Sequence, residues 1–168
     1  LTRGELGYSV HQCTRFCKSP TTMHTDAVHR IARFLIGTKN EGIILDPKMT
    51  SFECYVDADF CGLWNKNTAQ EDASMAKSRI GYIITHAKCP LILAFKLAGP
   101  YCLSTMEADY VSLSTALRQV IPIMDLLTEF KSEGIIKEDS IPAVYCKAFE
   151  DNSGVLEMAK MPCMSPYT

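Results

Sequence analysis

The chain has 168 residues, of which 47% are hydrophobic and 21% are charged, and its formal net charge is -2. This length and balance exclude a disordered or fibrous protein and predict one globular domain that buries its own core, with a small appendage. Because the net charge is close to zero, no overall basic field attracts nucleic acid, and such binding would need local groups of lysine and arginine.

No apolar run approaches the roughly 20 residues that span a bilayer, and the N-terminus lacks the basic-then-apolar pattern of a signal peptide. We therefore expect a soluble, intracellular protein with no membrane partner, in a cytoplasmic particle or in the nucleus. The chain begins at Leu1 rather than at methionine, which suggests a piece of a longer product. Its eight cysteines show no Cys-x-x-Cys spacing, which favours buried free thiols over a zinc site or disulfides.

The N-terminal part predicts a helix over residues 22–36. Apolar residues at 28, 31, 32, 35 and 36 recur at helical spacing, and Gly37 follows as a stop signal. The apolar run at 42–47 predicts a short strand. We assign residues 1–48 to an N-terminal helical appendage.

From Phe52 the pattern changes to an alternation of period two, which predicts a strand that turns Asp57 away from its apolar face. Residues 81–85 and 91–95 predict two further strands around a turn. Three consecutive strands joined by loops are typical of an antiparallel meander.

The strongest helical signal is an apolar stripe at 103, 106, 110, 113, 117, 120 and 124, with Ser104 suited to the start of the helix. Pro122 predicts a break or kink, with a second helix over 121–130. A fourth strand over 143–149 and a short helix over 152–160, capped by Asp151 or Asn152, follow. The order of elements predicts an α+β fold with a mixed sheet.

Three acids lie at the edges of these elements: Asp57, Glu107 and Asp151. Hydrolysis of a phosphodiester is assisted by two divalent ions about 3.5–4 Å apart, and Mg²⁺ accepts carboxylate oxygens as ligands. The acids would converge if the long helix packs across the sheet. Each also has a plain structural interpretation, as an exposed strand residue, a first-turn acid and a helix cap respectively.

Four segments occur in a characteristic order: YVDADFCG at 55–62, SRIGY at 78–82, LSTMEADY at 103–110 and EDNSGVL at 150–156. Together they closely resemble the ribonuclease H domain of Ty1/copia-type retrotransposon polyproteins. The segment AVHRIARFLIGTK at 27–39 looks like the end of the preceding reverse transcriptase region. The resemblance thus assigns 1–48 to the reverse transcriptase or connection region and 49–168 to an RNase H-like domain.

The resemblance implies an RNase H fold that cuts the RNA strand of an RNA–DNA hybrid endonucleolytically, with two Mg²⁺ or Mn²⁺ ions. It implies that Asp57 bridges both ions, that Glu107 is the helix ligand and that Asp151 is the ligand after the fourth strand. Asp59 falls outside this ligand set, and Asp109 is interpreted as a residue of the helix surface.

Contacts with the hybrid are expected along the RNA backbone and its 2′-hydroxyls. The candidates are Ser78, Arg79, Lys96, Asn152 and Ser153. For the first three, a solvated position at a strand edge is an equally good interpretation. The remaining partners implied are the other parts of the polyprotein, reverse transcriptase and integrase.

Enzymes of this family carry a fourth carboxylate on a closing helix after a fifth strand, whereas this chain ends at Thr168. We therefore expect an RNase H-like fold without its last strand and helix and without the fourth ligand. No Tyr-x-Asp-Asp motif of a polymerase site is present. Two hypotheses follow. The domain is either a ribonuclease H completed by a longer parent chain or an inactive remnant that at most binds nucleic acid or has a structural role.

Overall fold

A computed structural model of the chain describes residues 3–47, 51–67, 72–136 and 144–161. Its sheet has four strands: β1 (Phe52–Asp59), β2 (Arg79–His86), β3 (Cys89–Leu97) and β4 (Cys146–Phe149). Their order is β3-β2-β1-β4, with β1, β2 and β3 antiparallel and β4 parallel to β1. The predicted meander is confirmed, and the parallel fourth strand makes the sheet mixed.

Four helices accompany the sheet: α1 (Gly7–Thr14), α2 (Thr22–Gly37), α3 (Thr105–Ser132) and α4 (Ser153–Lys160). Short 3₁₀ turns lie at Gly4–Leu6 and Ala73–Ala76. The predicted helix over 22–36 is confirmed as α2. The strand predicted at 42–47 is wrong. This segment is irregular, with Ile44 89% exposed, and no described strand pairs with its backbone.

Helix α3 runs without interruption through Pro122, so the predicted break is wrong. A proline inside a helix costs about 3 kcal/mol because it removes a hydrogen bond and crowds the preceding turn. Packing on both sides of the proline offsets that cost, since Val120 is buried before it and Met124 packs against the core after it.

The core lies between α3 and one face of the sheet. It consists of Phe52, Cys54, Val56, Tyr82, Ile84, Leu113, Ala116, Val120 and Val155. The predicted stripe on α3 is confirmed in part, because Leu113 and Val120 are buried whereas Met106 is exposed and Leu103 lies before the helix begins. Ala108 and Ser112 are also buried. The seven cysteines in the described ranges are free thiols, but only Cys54 and Cys102 are buried, so the prediction of buried thiols holds in part.

The N-terminal segment, which we define as residues 3–37, lies on the other face of the sheet. Helix α1 contacts β3 there, where Gly7 lies against Leu93 and Phe95. These two residues alternate along β3 with Ile92 and Ala94, which pack against the core on the opposite face. Within the described ranges, no helix is both long enough and apolar enough to cross a membrane.

Candidate active site

Asp57 and Asp151 come together at one end of the sheet. Strand β4 is parallel to β1, and the register pairs Tyr55 with Phe149. Asp57 and Asp151 each follow one of these paired residues by two positions, so both lie at the same end of neighbouring strands. They line a common cleft of about 390 Å³. Its lining residues are Tyr55, Val56, Asp57, Phe149, Glu150 and Asp151.

Glu107 does not line this cleft. It lies in the first turn of α3, where its Oε2 accepts a hydrogen bond of 2.6 Å from the backbone N–H of Leu103. Its own backbone N–H donates to Oγ of Ser104 at 3.1 Å. The bond to Ser104 satisfies one of the free N–H groups at the start of α3, so the expected cap at Ser104 is confirmed. The carboxylate of Glu107 is engaged beside this cap, by the residue that precedes it.

A hydrogen bond joins helix α3 to the backbone of β1 at Asp57. The hydroxyl of Ser112, which is fully buried, donates to the carbonyl oxygen of Asp57 at 2.9 Å and also lies 3.3 Å from that of Gly81. A buried hydroxyl needs such a partner to recover the free energy of desolvation. Sequence reasoning missed Ser112, although a small polar residue next to the apolar stripe is a signal for close packing on backbone.

A second tie joins α3 to the turn that holds Asp151. Asp109 is 7% exposed, and its Oδ2 accepts a hydrogen bond of 3.0 Å from Nδ2 of Asn152. The interpretation of Asp109 as a surface residue is therefore wrong, because the side-chain amide of Asn152 gives it a buried partner. Oδ1 of Asn152 in turn accepts from the backbone N–H of Gly154 at 3.0 Å and caps α4, as predicted.

Glu150 adds a third carboxyl group to the cleft. Its Oε1 accepts a bond of 3.3 Å from the backbone N–H of Asn152, whereas its Oε2 is buried without a partner. Burial, together with the neighbouring carboxylates of Asp109 and Asp151, raises the pKa of Glu150 to about 7. At neutral pH this side chain is therefore divided between its neutral and charged forms.

The donor chemistry of the cleft suits a hard divalent cation, because both aspartates offer carboxylate oxygens. Across the described ranges, however, no three side chains of the His, Cys, Asp or Glu type are grouped closely enough to hold a metal ion. Asp57 and Asp151 supply two of the carboxylates that such a site would need. Glu107 lies outside this pair and accepts from the N–H of Leu103 through Oε2.

The residues predicted to contact nucleic acid differ in their access to solvent. Ser78 is fully buried and Arg79 is 5% exposed, so the alternative interpretation of these two as solvated edge residues is wrong. Lys96 is exposed, with Nζ 6.0 Å from the ring centroid of Tyr82. Ser153 is exposed at the start of α4 and Asn152 is half-buried as its cap. Lys96 and Ser153 are thus the accessible members of the predicted set.

These observations define an α+β protein with a four-stranded mixed sheet, an arrangement compatible with an RNase H-like fold. No family model matches the chain, and no solved structure matches it. Over 163 residues, or 96% of its length, the chain is 32% identical to the retrovirus-related Pol polyprotein from transposon RE1 of Arabidopsis thaliana. Over the same number of residues it is 30% identical to that from transposon RE2 of the same plant.

A third relative is the retrovirus-related Pol polyprotein from transposon TNT 1-94 of Nicotiana tabacum, with 26% identity over 159 residues. The chain is therefore homologous, over almost its whole length, to a segment of Ty1/copia-type Pol polyproteins. It spans only 10–11% of the length of these relatives.

Proposed function

We propose that this chain is the ribonuclease H segment of a Ty1/copia-type retrotransposon polyprotein and that it cuts the RNA strand of RNA–DNA hybrids during reverse transcription. The observation that carries the proposal is the pair formed by Asp57 and Asp151, which open into one cleft at the end of two neighbouring parallel strands. Homology to retrovirus-related Pol polyproteins from transposons supports the same function.

Asp57, Asp151 and Glu107 would hold two Mg²⁺ or Mn²⁺ ions. Such ions, when bound, make a water nucleophilic and neutralise the charge of the leaving oxygen. The protein contributes the positions of the ligands. Ser112 fixes α3 against the backbone of Asp57, and Asp109 fixes the same helix against the turn at Asn152. Both ties keep the three ligand-bearing elements in register.

The hybrid would contact the exposed side chains of Lys96 and Ser153, which lie on opposite edges of the sheet, and Asn152 next to Asp151. An exposed ammonium group binds phosphate oxygens, and hydroxyl and amide groups recognise the 2′-hydroxyls that distinguish RNA from DNA. Ser78 and Arg79 are buried, so they would support the binding surface from beneath it. The other segments of the polyprotein are the expected protein partners.

The first test is the replacement of Asp57 or Asp151 by asparagine. Each change removes one charged oxygen ligand and keeps the shape of the side chain, so we expect metal-dependent cleavage of the RNA strand to fall by about 100-fold or more. The measurement is the rate of product formation from a hybrid with labelled RNA, with Mg²⁺ and with EDTA. Asp26→Asn, at an exposed acid of α2, is the matched control and should leave the rate unchanged. Cleavage that survives Asp57→Asn would contradict the proposal.

Glu107→Gln separates the metal role of this residue from its capping role. The amide oxygen of glutamine can still accept from the N–H of Leu103, so the stability of the protein should change little. We expect cleavage nevertheless to fall about tenfold or more, because the negative charge is lost. Thermal unfolding and cleavage are measured on the same sample. A loss of cleavage that follows only a loss of folded protein would assign Glu107 to the cap alone.

A second candidate function is binding of the hybrid without cleavage. It is favoured by the arrangement of the acids, since Glu107 is occupied in the helix cap and the described residues provide no three-membered ligand group. Such a protein would bind hybrid with equal affinity before and after Asp57→Asn and would leave the RNA intact in Mg²⁺. Equilibrium binding measured beside the cleavage assay therefore distinguishes the two functions.

A further inference from the structure

The N-terminal segment is joined closely to the sheet that carries the candidate site. The Cα of Gly7 lies against the ring of Phe95, where an added Cβ would come within 3.2 Å of ring carbons. Glycine therefore allows α1 to approach β3 more closely than any other residue would. Further along, Nη2 of Arg15 donates to the carbonyl oxygen of Ser74 at 3.2 Å. The segment is thus held at two separate places.

Between these two places lies a cluster formed by Tyr8, Arg79 and Asp59. Nη1 of Arg79 donates to the hydroxyl of Tyr8 at 3.2 Å and to Oδ2 of Asp59 at 3.3 Å, and its guanidinium carbon lies 5.4 Å from the centre of the Tyr8 ring. The side chain of Arg79 is only 6% exposed, and its Nε is buried without a partner. A buried guanidinium depends strongly on the partners that it has.

The same tyrosine forms a wall of a pocket that contains Asp57. The register of β1 and β2 sets Arg79 opposite Asp59 and Gly81 opposite Asp57, and the ring of Phe95 lies against Gly81. This pocket has a volume of about 270 Å³. Its lining residues are Tyr8, Tyr55, Val56, Asp57, Asp59, Arg79, Gly81, Tyr82, Ile83 and Phe95. Aromatic rings and carboxylates thus meet at the strand that carries the first candidate ligand.

We propose, on the basis of the nuclease function proposed above, that the N-terminal segment is part of the site. Tyr8 forms the wall against which a nucleotide of the cleaved strand rests, and Arg79 is a positioning residue that holds Tyr8 to β1 through Asp59. A flat aromatic ring accepts the face of any base or sugar, which suits an enzyme without sequence preference. The segment that resembles the end of the reverse transcriptase region would then contribute directly to substrate binding.

The test compares Tyr8→Ala, Tyr8→Phe and Arg79→Lys with Val10→Ala, a truncation of an exposed residue on the same helix. Tyr8→Ala removes the wall, so the KM for hybrid should rise about tenfold while kcat stays within about twofold. Tyr8→Phe keeps the ring and should restore most of the affinity. Arg79→Lys should raise KM in the parent chain but add little in the Tyr8→Ala chain, because the two residues act together.

Binding is measured separately in the Asp57→Asn chain, which keeps the pocket, and folding is followed by the fluorescence of Trp64, the single tryptophan. The proposal is overturned if Tyr8→Ala lowers the melting temperature and leaves KM and hybrid affinity unchanged, or if Val10→Ala has the same effect. Cleavage that depends on Asp57 and is indifferent to Tyr8 would leave the nuclease function intact and remove only this inference. A chain that neither binds nor cuts hybrid would overturn both.

Discussion

The two faces of the sheet differ in how completely they are covered. The face toward α3 is closed mainly by apolar side chains, together with the buried hydroxyl of Ser112. The opposite face is covered by α1 over β3, whereas Tyr55 and Phe149 remain 41% and 43% exposed and stack on each other at 4.8 Å. Asp57 and Asp151 line the cleft beside these two rings. The core that stabilises the fold therefore lies on one side of the sheet, and the cleft of the two aspartates opens beside the other.

The largest effect on stability is expected from replacing two neighbouring isoleucines that lie on opposite faces of the sheet. Ile84 is fully buried under α3, whereas Ile83 is half-buried on the opposite face. We expect Ile84→Ala to lower the free energy of unfolding by about 3 kcal/mol, because it leaves a cavity in the core. Ile83→Ala should cost about 1 kcal/mol. Urea denaturation measures both, and equal losses would contradict the division between the faces.

A smaller effect is expected from the tie between α3 and the turn at Asp151. Asp109→Ala leaves the half-buried amide of Asn152 without its partner, which should cost about 1–3 kcal/mol. Asp125→Ala, at an exposed acid of the same helix, is the matched control and should stay within about 0.5 kcal/mol. If the two variants unfold at the same denaturant concentration, the bond to Asn152 contributes nothing and α3 is held by apolar packing alone.

Glu150 predicts a dependence on pH in the absence of divalent cations. Its pKa lies above its ordinary value, at about 7, so the folded state binds the proton more tightly than the unfolded state does. The associated stability is fully present below the ordinary pKa and is lost as pH rises through about 7. With allowance for partial solvent exposure, we expect Glu150→Gln to stabilise the protein at pH 8 by about 1–2 kcal/mol relative to the parent chain.

The measurement is thermal unfolding of both chains in EDTA at pH 5 and pH 8. Identical shifts of the melting temperature in the parent and the variant would show that Glu150 does not carry the effect. Because Glu150 lies in the cleft with Asp57 and Asp151, added Mg²⁺ should reduce the difference between the two chains.

The smallest effect is expected at the far end of β1. The bonds from Lys88 and Tyr55 lower the pKa of Glu53, so this carboxylate stabilises the folded state above its ordinary pKa and loses that contribution as pH falls. Lys88→Met should lower the melting temperature slightly at pH 7 and not at pH 3. An equal loss at both pH values would assign the effect to packing rather than to charge.

The sequence predicted those features that depend on local pattern. The alternation from Phe52 and the apolar spacing of α2 identified the meander and the first long helix, and Ser104 and Asn152 are caps because their side chains suit that role locally. Burial of Asp109 and continuation of α3 through Pro122 were not predicted, because both depend on partners distant in the sequence. The pairing of Asp57 with Asp151 likewise requires β4 beside β1, which no local pattern encodes.

The proposed nuclease activity requires Asp57 and Asp151 to act as one cation-binding pair at the open end of the sheet. Binding of Mn²⁺, followed by electron paramagnetic resonance in the parent chain and in the two asparagine variants, tests it most directly. We expect saturable binding in the parent chain that is lost in Asp57→Asn and in Asp151→Asn, and kept in Asp26→Asn. Saturable binding of equal affinity in all four chains would contradict it.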